Sequence, residues 1–474
     1  MATKKNQKPH AIMISFHLQG HIIPFVNLAI KLASKGFSVT FAHNEFIHHQ
    51  ISKSQSVTNS TEIDIFSQAR SSGLDINYTT ISDGFPVDFN RSANFNLVLE
   101  SFINKFPDKV DEFVGKLVQS NSSDYFLIAD TFSVWSAKIA KKYGLVNVSF
   151  WTEPALVFSL YYHLQLLREN GHVPVNGRRQ NIDYVPGIKS INTKDFMSYF
   201  QDSELDLLHK VIFSAFDLVK SADFILCNTT QELEKETISA LQQRQPFYAI
   251  GPLFATVSIP RSLLPESDCT EWLKTKPKGS VLYVSFGSLA KIDKNVILEI
   301  ASGLLISEVN FIWVLRPGTV DFSDGIFPGG FENRMKERGL IVPWCSQDRV
   351  LLDPGVGGFL THCGWNSVLE SLWCGVPMIC YPLFTDQPTN RKLVVDDWKI
   401  GINLCEGGVI TKEEVVEKIE SLMNGKRGDE LRKEINKVRN VLQNALAKDG
   451  SSEKNFDCFV RDVVAQIHKR CVQV

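Results

Sequence analysis

The sequence lacks an apolar run long enough to cross a membrane and lacks an excess of either charge. Its polar, basic start leads into a short apolar segment interrupted by His17 and His21, which is neither a secretory signal nor a membrane span. The net charge is −2, so nothing favours nucleic-acid binding. Nine cysteines, an odd number that begins only at Cys227, are more typical of a reducing compartment than of a disulfide framework. We therefore expect a cytoplasmic protein without stable membrane insertion and without a nucleic-acid partner.

The chain has no internal repeat, no low-complexity tract and no Gly-x-Gly-x-x-Gly fingerprint for a dinucleotide. Its 474 residues, 44% of them hydrophobic and 22% charged, are enough for two domains with substantial cores. Predicted strands alternate with predicted helices in two blocks, which favours an α/β fold with doubly wound parallel sheets. The elements that open the blocks are strand 10–16, helix 22–34 ended by Gly36, and strand 37–42, then strand 280–286, helix 295–306 and strand 311–315.

Composition also suggests domain boundaries. Gly251-Pro252-Leu253 and residues 260–268 are rich in Pro, Ser and Gly and lack periodicity, as expected of a linker. We predict an N-terminal domain over 1–250, a linker over 251–275, a C-terminal domain over 276–455, and a final helix over 456–474 that packs back on the N-terminal domain. The charged amphipathic run over 413–448 predicts surface helices of the C-terminal domain.

A possible anion site follows the strand-like run 356–360. Thr361-His362-Cys363-Gly364-Trp365-Asn366-Ser367 leads into a helix-like run over 368–373, so a helix begins near Asn366 and Ser367. The N–H groups and positive dipole end of such a helix favour a diphosphate, to which His362 can also donate. Read alone, the hexapeptide 362–367 fits a simple capped helix equally well.

Neighbouring residues extend this site. Glu370 lies one turn further along the helix, where a carboxylate suits ribose hydroxyls, and Trp344 offers a flat face to a base. Phe286-Gly287-Ser288, after the first strand of the second block, is either a generic turn or a phosphate contact. In open α/β sheets, ligands bind outside the carboxyl ends of the strands.

His21, after the first strand of the chain, is a candidate general base, with His17 as a competitor. An isolated histidine at a loop–helix junction more often caps or packs. Asp130 ends the apolar run 125–129 and can orient such a base, although an aspartate there is also a common helix cap.

The 44 residues from 344 to 387 resemble, in length and order, the signature box of plant family-1 UDP-dependent glycosyltransferases. Gly20-His21-Ile22-Ile23-Pro24 and Asp130-Thr131-Phe132 are similar to the segments that carry the catalytic pair of that family. The resemblance implies a GT-B fold, in which two Rossmann-like doubly wound domains face each other across a cleft. The N-terminal domain would bind the acceptor, and the C-terminal domain would bind the UDP-sugar.

The resemblance also implies a role for each matched residue. Trp344 would stack on uracil, the Cys345 backbone would read the base edge, and Gln347 and Glu370 would hold the ribose. The diphosphate would be bound by Ser288, His362, Gly364, Asn366 and Ser367, and the sugar by Thr152, Trp365, Asp386 and Gln387. A final Gln in the box is associated with glucose. Cys345-Ser346 and Trp373-Cys374 depart from the family pattern, the first acting through backbone and the second affecting packing.

The implied reaction is inverting O-transfer with UDP-glucose as the donor co-substrate, His21 as base and Asp130 as its partner. No prosthetic group is implied, and no metal, because the Asp-x-Asp triplet of metal-dependent glycosyltransferases is absent. A monomer is expected. A UDP-sugar epimerase or hydrolase, or a non-catalytic UDP-sugar-binding protein, would be built on the same two-domain frame.

An aromatic wall in the N-terminal domain suggests a small lipophilic acceptor, phenolic or terpenoid. Each of these aromatics taken singly is an ordinary core residue. The candidates are Phe16, Phe85, Phe132, Trp135, Trp151, Tyr161, Phe196 and Phe200.

Overall fold

The computed structural model describes most of the chain. The described residues are 8–55, 64–120, 124–201, 206–254, 264–316, 318–319, 327, 331–336, 338–405 and 407–473. They form two compact units. The first unit is Met1–Ile191, Tyr199–Leu264 and Ala445–Val474, and the second is Asn192–Ser198 and Pro265–Asn444. Relative to the predicted boundaries, the short segment 192–198 groups with the second unit and the C-terminal residues from 445 onward group with the first.

The first unit is built on a seven-stranded parallel sheet in the order β3-β2-β1-β4-β5-β8-β9. A two-residue pair, β6 with β7, lies apart from it. The strands are β1 His10–Ile14, β2 Ser38–Asn44, β3 Ile76–Ile81, β4 Tyr125–Asp130, β5 Val146–Trp151, β6 Asn181–Ile182, β7 Ile191–Asn192, β8 Phe224–Cys227 and β9 Phe247–Ala249.

Helices cover both faces of this sheet. Alternate residues of β1 point to opposite sides, so Ala11 and Met13 join one hydrophobic cluster while Ile12 and Ile14 join another. The strand is therefore buried on both faces, which explains why it reads as a continuous apolar run. The predicted doubly wound class is confirmed for this unit.

The second unit contains a six-stranded parallel sheet in the order β12-β11-β10-β13-β14-β15. Its central strand β10 pairs with β11 on one side and β13 on the other, as β1 does with β2 and β4 in the first unit. The strands are β10 Val281–Ser285, β11 Asn310–Val314, β12 Gly339–Val342, β13 Val356–Thr361, β14 Met378–Cys380 and β15 Gly401–Asn403.

The helices follow the strands in alternation. Those up to residue 242 are α1 Gln19–Ser34, α2 Glu45–Gln55, α3 Ser67–Ser71, α4 Phe95–Asn104, α5 Phe106–Ser120, α6 Ser136–Lys142, α7 Ala155–Tyr162, α8 Leu164–Glu169, α9 Leu207–Leu218 and α10 Lys235–Gln242. The later ones are α11 Thr270–Lys274, α12 Lys294–Ile306, α13 Phe331–Met335, α14 Gln347–Leu352, α15 Trp365–Cys374, α16 Gln387–Lys392, α17 Lys412–Met423, α18 Lys426–Leu446 and α19 Ser451–Gln473. Three short 3₁₀ turns, Thr193–Asp195, Ser198–Phe200 and Val219–Ser221, and a π-helix, Leu393–Asp397, complete the set.

The predicted elements are present with shifted ends. β1 stops at Ile14, so Ser15 and Phe16 belong to the loop rather than to the strand. α1 begins at Gln19, three residues before its predicted start, because the polar residues of its first turn carry no apolar periodicity. His21 consequently lies in the first turn of a helix.

The predicted linker is only partly described. Residues 255–263, which include part of its Pro-rich stretch, lie outside the described residues. Its end contains a short helix, α11, which belongs to the second unit.

The C-terminal helix α19 packs on the first unit. Its apolar face contributes Phe456, Phe459, Val463 and Ile467 to the hydrophobic cluster on the α1 side of the sheet. Polar contacts flank this face, because Ser452 donates to the carbonyl of Gly251 at 2.5 Å.

Candidate active site

A histidine and an aspartate meet at the carboxyl end of the first sheet. His21 lies in the first turn of α1, and Asp130 is the last residue of β4, the strand beside β1. Nδ1 of His21 is 2.7 Å from Oδ2 of Asp130, and only 10% and 1% of the two side chains are exposed. A carboxylate only accepts hydrogen bonds, so Nδ1 carries the hydrogen and Nε2 keeps its lone pair. A general base with an orienting carboxylate has this arrangement.

Two neighbouring groups hold the pair in place. The backbone N–H of Phe132 donates to the second carboxylate oxygen of Asp130 at 3.0 Å. Thr152 follows β5, and its buried Oγ1 lies 3.2 Å from Nδ1 of His21. The sequence predicted that Thr152 binds the sugar of the donor. In the structure its hydroxyl lies against the histidine, and its role toward the sugar stays a prediction.

His17, the competing candidate, has different surroundings. Its ring packs 4.4 Å from that of Phe16 and 5.7 Å from that of Phe102, measured between ring centroids. Burial lowers the pKa of His17 to about 4, against the opposing effect of Asp83. The imidazole is therefore neutral near pH 7, and it is His21 that Asp130 contacts.

The predicted anion site is built where β13 gives way to α15. The helix begins at Trp365 with Gly364 as its N-cap, so Asn366 and Ser367 lie in its first turn, where backbone N–H groups have no acceptor within the helix. Cys363, just before this turn, has a positive φ of 65°, a conformation that costs about 1–3 kcal/mol in a residue other than glycine and that recurs at functional sites.

His362 is held between two glycines of this site. A Cβ atom added to either Gly287 or Gly364 would lie 2.5 Å from its Nε2. Gly287 belongs to the turn that carries Ser288, so the imidazole connects that turn to the start of α15. Both positions need glycine because the ring occupies the space that a side chain would fill.

Burial also determines the charge of His362. It lowers the pKa of this histidine to about 4, an effect that the backbone of Ser285 only partly offsets. Within the described part of the chain, its Nδ1 is buried without a hydrogen-bond partner. The ring is therefore neutral near pH 7.

The two residues predicted to hold a ribose lie side by side. Nε2 of Gln347 donates to Glu370 at 2.6 Å and to Oγ of Ser367 at 2.8 Å. Oε1 of Gln347 accepts from the hydroxyl of Tyr283 at 3.3 Å. Residues from α14 and α15 therefore form one polar cluster beside the start of α15.

The predicted base site adjoins this cluster. Trp344 is partly exposed, and its carbonyl accepts from the N–H of Ser267 at 2.8 Å. Cys345 pairs with Ser267 in an isolated parallel bridge, and its Sγ is buried 3.6 Å from the hydroxyl of Tyr283. Because the side chain of Cys345 is turned inward, only its backbone is left to meet a base.

The predicted sugar residues of the second unit are largely engaged in internal contacts. The indole of Trp365 is buried, with its ring centroid 6.2 Å from that of Trp398, so the side chain packs rather than faces outward. Asp386 accepts from Thr385 at 2.7 Å and from Asn390 at 2.5 Å.

Gln387 has a similar internal role. Its Oε1 accepts from the backbone N–H groups of Leu383 and Phe384 at 2.8 and 3.1 Å. These two hydrogen bonds engage the side-chain carbonyl of Gln387, so its NH₂ group is the part of the side chain available to a sugar hydroxyl.

The segment 192–198, which the sequence did not single out, supports this loop. Ser198 exchanges two hydrogen bonds with the backbone of Thr385, whose φ is positive at 58°. Asp195 pairs with Arg391, and its carbonyl accepts from Thr389 at 2.7 Å. These partners lie 187 to 196 residues apart in the chain, and no local pattern indicates them.

Asn390 is a second residue that sequence reasoning missed. It is fully buried and donates both to Asp386 and, at 2.9 Å, to the carbonyl of Cys363. The loop that carries Asp386 is thus tied to the loop that carries His362.

The aromatic residues predicted to line an acceptor pocket divide into three groups. Phe16, Phe132 and Trp135 pack around the loop after β1, and Phe16 and Phe132 lie 5.4 and 5.5 Å from the ring of His21. Phe85 stacks on Phe89 in a surface loop. The remaining four are buried, at most 3% exposed, and their role in an acceptor pocket stays a prediction. They are Trp151, Tyr161 and Phe200 in the first unit and Phe196 in the second.

No helix in the described ranges is both long and apolar enough to span a bilayer. No three His, Cys, Asp or Glu side chains in those ranges cluster as metal ligands.

Known sequences resemble this chain over its whole length. A sequence profile of the family described as "UDP-glucoronosyl and UDP-glucosyl transferase" matches residues 260–438. The chain is 54% identical to UDP-glycosyltransferase 86A1 of Arabidopsis thaliana, over 100% of this chain and 98% of that protein. It is 33% identical to (R)-mandelonitrile beta-glucosyltransferase of Prunus dulcis, over 97% of this chain and 98% of that protein.

A solved structure shares the fold. The structure of Phytolacca americana UGT2 complexed with UDP-2fluoro-glucose and pterostilbene superposes with a TM-score of 0.79 at 26% identity. The match covers 96% of this chain and 100% of that chain. The predicted GT-B fold class is confirmed.

Proposed function

Because the chain belongs to the plant UDP-dependent glycosyltransferases of family 1, we propose that it transfers glucose from UDP-glucose to a hydroxyl of a small lipophilic acceptor. The transfer inverts the anomeric centre and gives a β-O-glycoside. The enzyme class, a UDP-glycosyltransferase, follows from the relatives themselves. The sugar, the stereochemistry and the acceptor class are the proposal.

The observation that carries the mechanism is the hydrogen bond between His21 and Asp130. With its Nδ1 hydrogen donated to the carboxylate, His21 takes the acceptor proton on Nε2. Asp130 then stabilises the imidazolium that forms. The acceptor oxygen bonds to the anomeric carbon as the bond from that carbon to the UDP oxygen breaks, and UDP leaves with the electron pair. Attack from the face opposite UDP converts an α donor into a β product.

The residues around the start of α15 are suited to the leaving diphosphate. The first-turn N–H groups and the positive end of the helix dipole stabilise negative charge without needing to reorganise. His362, neutral through burial, lies beside the start of the same helix. Gln347 and Glu370, already joined, provide the acceptors and donors for the ribose hydroxyls.

Glucose is favoured by Gln387 at the end of the signature segment and by the name of the Prunus dulcis relative, a beta-glucosyltransferase. A lipophilic acceptor is favoured by the aromatic rings beside His21. The related structure from Phytolacca americana holds pterostilbene, an aromatic ligand, which agrees with this choice. A cytoplasmic location, a monomeric state and independence of metal remain predictions from the sequence.

The test is acceptor-dependent product formation by wild type and His21→Ala. We expect UDP-glucose with a panel of phenols and terpenoid alcohols to give β-glucosides, identified by mass and by the anomeric coupling constant. A general base contributes roughly 10²- to 10⁴-fold, so His21→Ala should lose about that factor in kcat. Its Kd for UDP should stay unchanged, since the predicted UDP residues all lie in the second unit.

His172→Ala is the matched control, because among the described residues the side chain of this histidine hydrogen-bonds and packs against Tyr184, which is outside the proposed site. Near-normal turnover by His21→Ala would remove the assigned base. Release of free or epimerised sugar without an acceptor would point instead to hydrolysis or epimerisation, and a product with retained configuration would contradict the direct displacement.

A further inference from the structure

A narrow cavity opens in the first unit beside the proposed catalytic pair. Its polar lining comes from the carboxyl ends of three adjacent strands, with Ser15 and His17 after β1, Asn44 at the end of β2 and Asp83 after β3. Its apolar lining is Val98, Phe102 and Phe106. The cavity has room for a group about the size of a water molecule, so it accommodates one polar substituent rather than a whole ring.

Ser15 supplies an unsatisfied hydroxyl to this cavity. The residue is only 9% exposed, and its Oγ has no hydrogen-bond partner among the residues that the structure describes. A buried hydroxyl left in this state costs about 1–3 kcal/mol, a cost that a ligand or a water molecule in the cavity would remove. The serine hydroxyl can both donate and accept.

The charged side chains of the cavity are already neutralised. Arg91 donates from Nε and from one terminal nitrogen to the two carboxylate oxygens of Asp83, at 2.8 and 2.9 Å. Asn44 and the backbone N–H of Phe85 donate to the same carboxylate, at 2.9 and 3.1 Å. The other donor contacts of Arg91 go to backbone carbonyls. Among the described residues that line the cavity, no cationic side chain is therefore available to bind an anionic ligand. The carboxylate of Asp83 is also fully engaged in hydrogen bonds.

His17 completes the polar wall with a neutral imidazole. The ring of Phe16 lies between the cavity and the proposed base, 4.4 Å from the ring of His17 on one side and 5.4 Å from that of His21 on the other. A flat acceptor whose reacting hydroxyl meets His21 would pass along this aromatic ring. A second polar group on the same acceptor would then reach the cavity.

We propose that this cavity is a specificity subsite, in which Ser15 and His17 bind a second, uncharged hydroxyl or carbonyl oxygen of the acceptor. The subsite deepens the proposed function and rests on it for the identity of the ligand as an acceptor. It selects neutral oxygen substituents over hydrogen, because they satisfy Ser15. It rejects carboxylates, because their charge would be buried without a partner.

The experiment measures binding and turnover separately on the full chain. The probes are 2-naphthol, naphthalene-2,6-diol, naphthalene-2,7-diol and 6-hydroxy-2-naphthoate, titrated calorimetrically into UDP-saturated enzyme. One net hydrogen bond corresponds to roughly 2- to 10-fold in Kd, so at least one diol should bind tighter than 2-naphthol by about that factor. The naphthoate should bind more weakly than 2-naphthol.

Variants assign the effect to the cavity. Two single variants, Ser15→Ala and His17→Phe, should each bring the ratio of the diol Kd to the 2-naphthol Kd close to one. The Kd of 2-naphthol itself should stay unchanged in both. His17→Phe keeps an aromatic ring packed against Phe102. His17→Gln should restore part of the preference. Ser159→Ala, a substitution of a fully buried serine outside the cavity, should keep the wild-type ratio. Melting temperatures identify any variant that loses the fold.

The outcomes separate the two proposals. Equal affinity of wild type for all neutral probes, or a preference that survives both Ser15→Ala and His17→Phe, would overturn the subsite and indicate that the cavity holds only water. Glucoside formation from UDP-glucose, measured with the same probes and variants in samples without added UDP, tests the transferase reaction. Tighter binding of a diol without glucoside formation would count against the proposed function and leave the subsite in place. Glucoside formation with equal Kd values for all neutral probes would support the proposed function and overturn the subsite.

Discussion

At the scale of single residues, surroundings rather than residue type decide what a histidine can do. His21 and His17 lie four positions apart, yet one donates to a buried carboxylate while the other packs among phenylalanine rings with its pKa lowered by burial. His362, also neutral through burial, is held between two glycines. The first can act as a base, and the other two can act only as neutral hydrogen-bonding groups near pH 7.

The contact between His362 and Gly287 leads to a residue-scale prediction. In Gly287→Ala the new Cβ would lie 2.5 Å from Nε2 of His362, so the ring must move. We expect the Kd for UDP, measured by calorimetry, to rise roughly tenfold or more, which corresponds to about 1.4 kcal/mol.

Gly279→Ala separates this effect from backbone strain. Gly279 also has a positive φ, 67° against 76° at Gly287, but nothing lies within 4 Å of its added Cβ. Both variants should lose roughly 1 kcal/mol of stability from the backbone alone. Equal UDP affinity in the two variants would show that His362 does not contribute to donor binding.

At the scale of elements, α19 is the clearest example of a helix whose role depends on its partners. It is the last element of the chain, yet its apolar face completes a cluster that contains α1 and strands of the first sheet. Its polar side adds a hydrogen bond from Tyr248 to Asp462 at 2.7 Å and an ion pair between Arg470 and Asp223. The helix is therefore part of the fold of the first unit rather than an appendage.

Phe459→Ala tests this role. The side chain is fully buried, and truncation of a buried phenylalanine costs about 3–5 kcal/mol. We expect urea unfolding, followed by fluorescence, to show a loss of that size. Lys454→Ala, an exposed position on the same helix, should change stability by less than about 0.5 kcal/mol. A loss below about 1 kcal/mol in Phe459→Ala would mean that α19 is docked only weakly.

At the scale of the whole molecule, buried neutral histidines make stability depend on pH. Burial lowers the pKa of His43 to about 3 and the pKa values of His17 and His362 to about 4, from an ordinary value of 6.5. Between about pH 4 and pH 6.5, these histidines bind protons in the unfolded chain but not in the folded chain. Stability is therefore complete above about pH 6.5 and falls as the pH drops toward 4.

The expected result is a free energy of unfolding that decreases from pH 7 to pH 5, by up to about 1.4 kcal/mol per pH unit for each such histidine. Urea titrations at pH 7, 6 and 5 measure it. His43→Phe, which keeps an aromatic ring against Phe41 and Tyr78, should show a shallower slope than wild type. Identical slopes for the two proteins would mean that His43 is protonated in the fold.

Much of the fold and of the candidate site could be predicted from local patterns. Continuous apolar runs revealed β1 and β10 because these strands are buried on both faces, and the order of strand, glycine turn and helix placed the N-terminus of α15 within one residue. The ends of elements were less accurate. The first turn of α1 carries no apolar periodicity, and its position depends on the strand that precedes it.

The sequence by itself determined the alternation of strands and helices, the two-domain architecture and the chemical character of the donor segment, because each depends on residues that are close in the chain. Only the tertiary structure decided which groups meet. It set the 2.7 Å contact between His21 and Asp130, joined Gln347 to Glu370 by a hydrogen bond, and buried Trp151 and other aromatics of the predicted acceptor pocket. The physical reason is that such contacts are set by the pairing order of parallel strands and the packing of helices across them, which bring together residues such as His21 and Asp130, 109 positions apart.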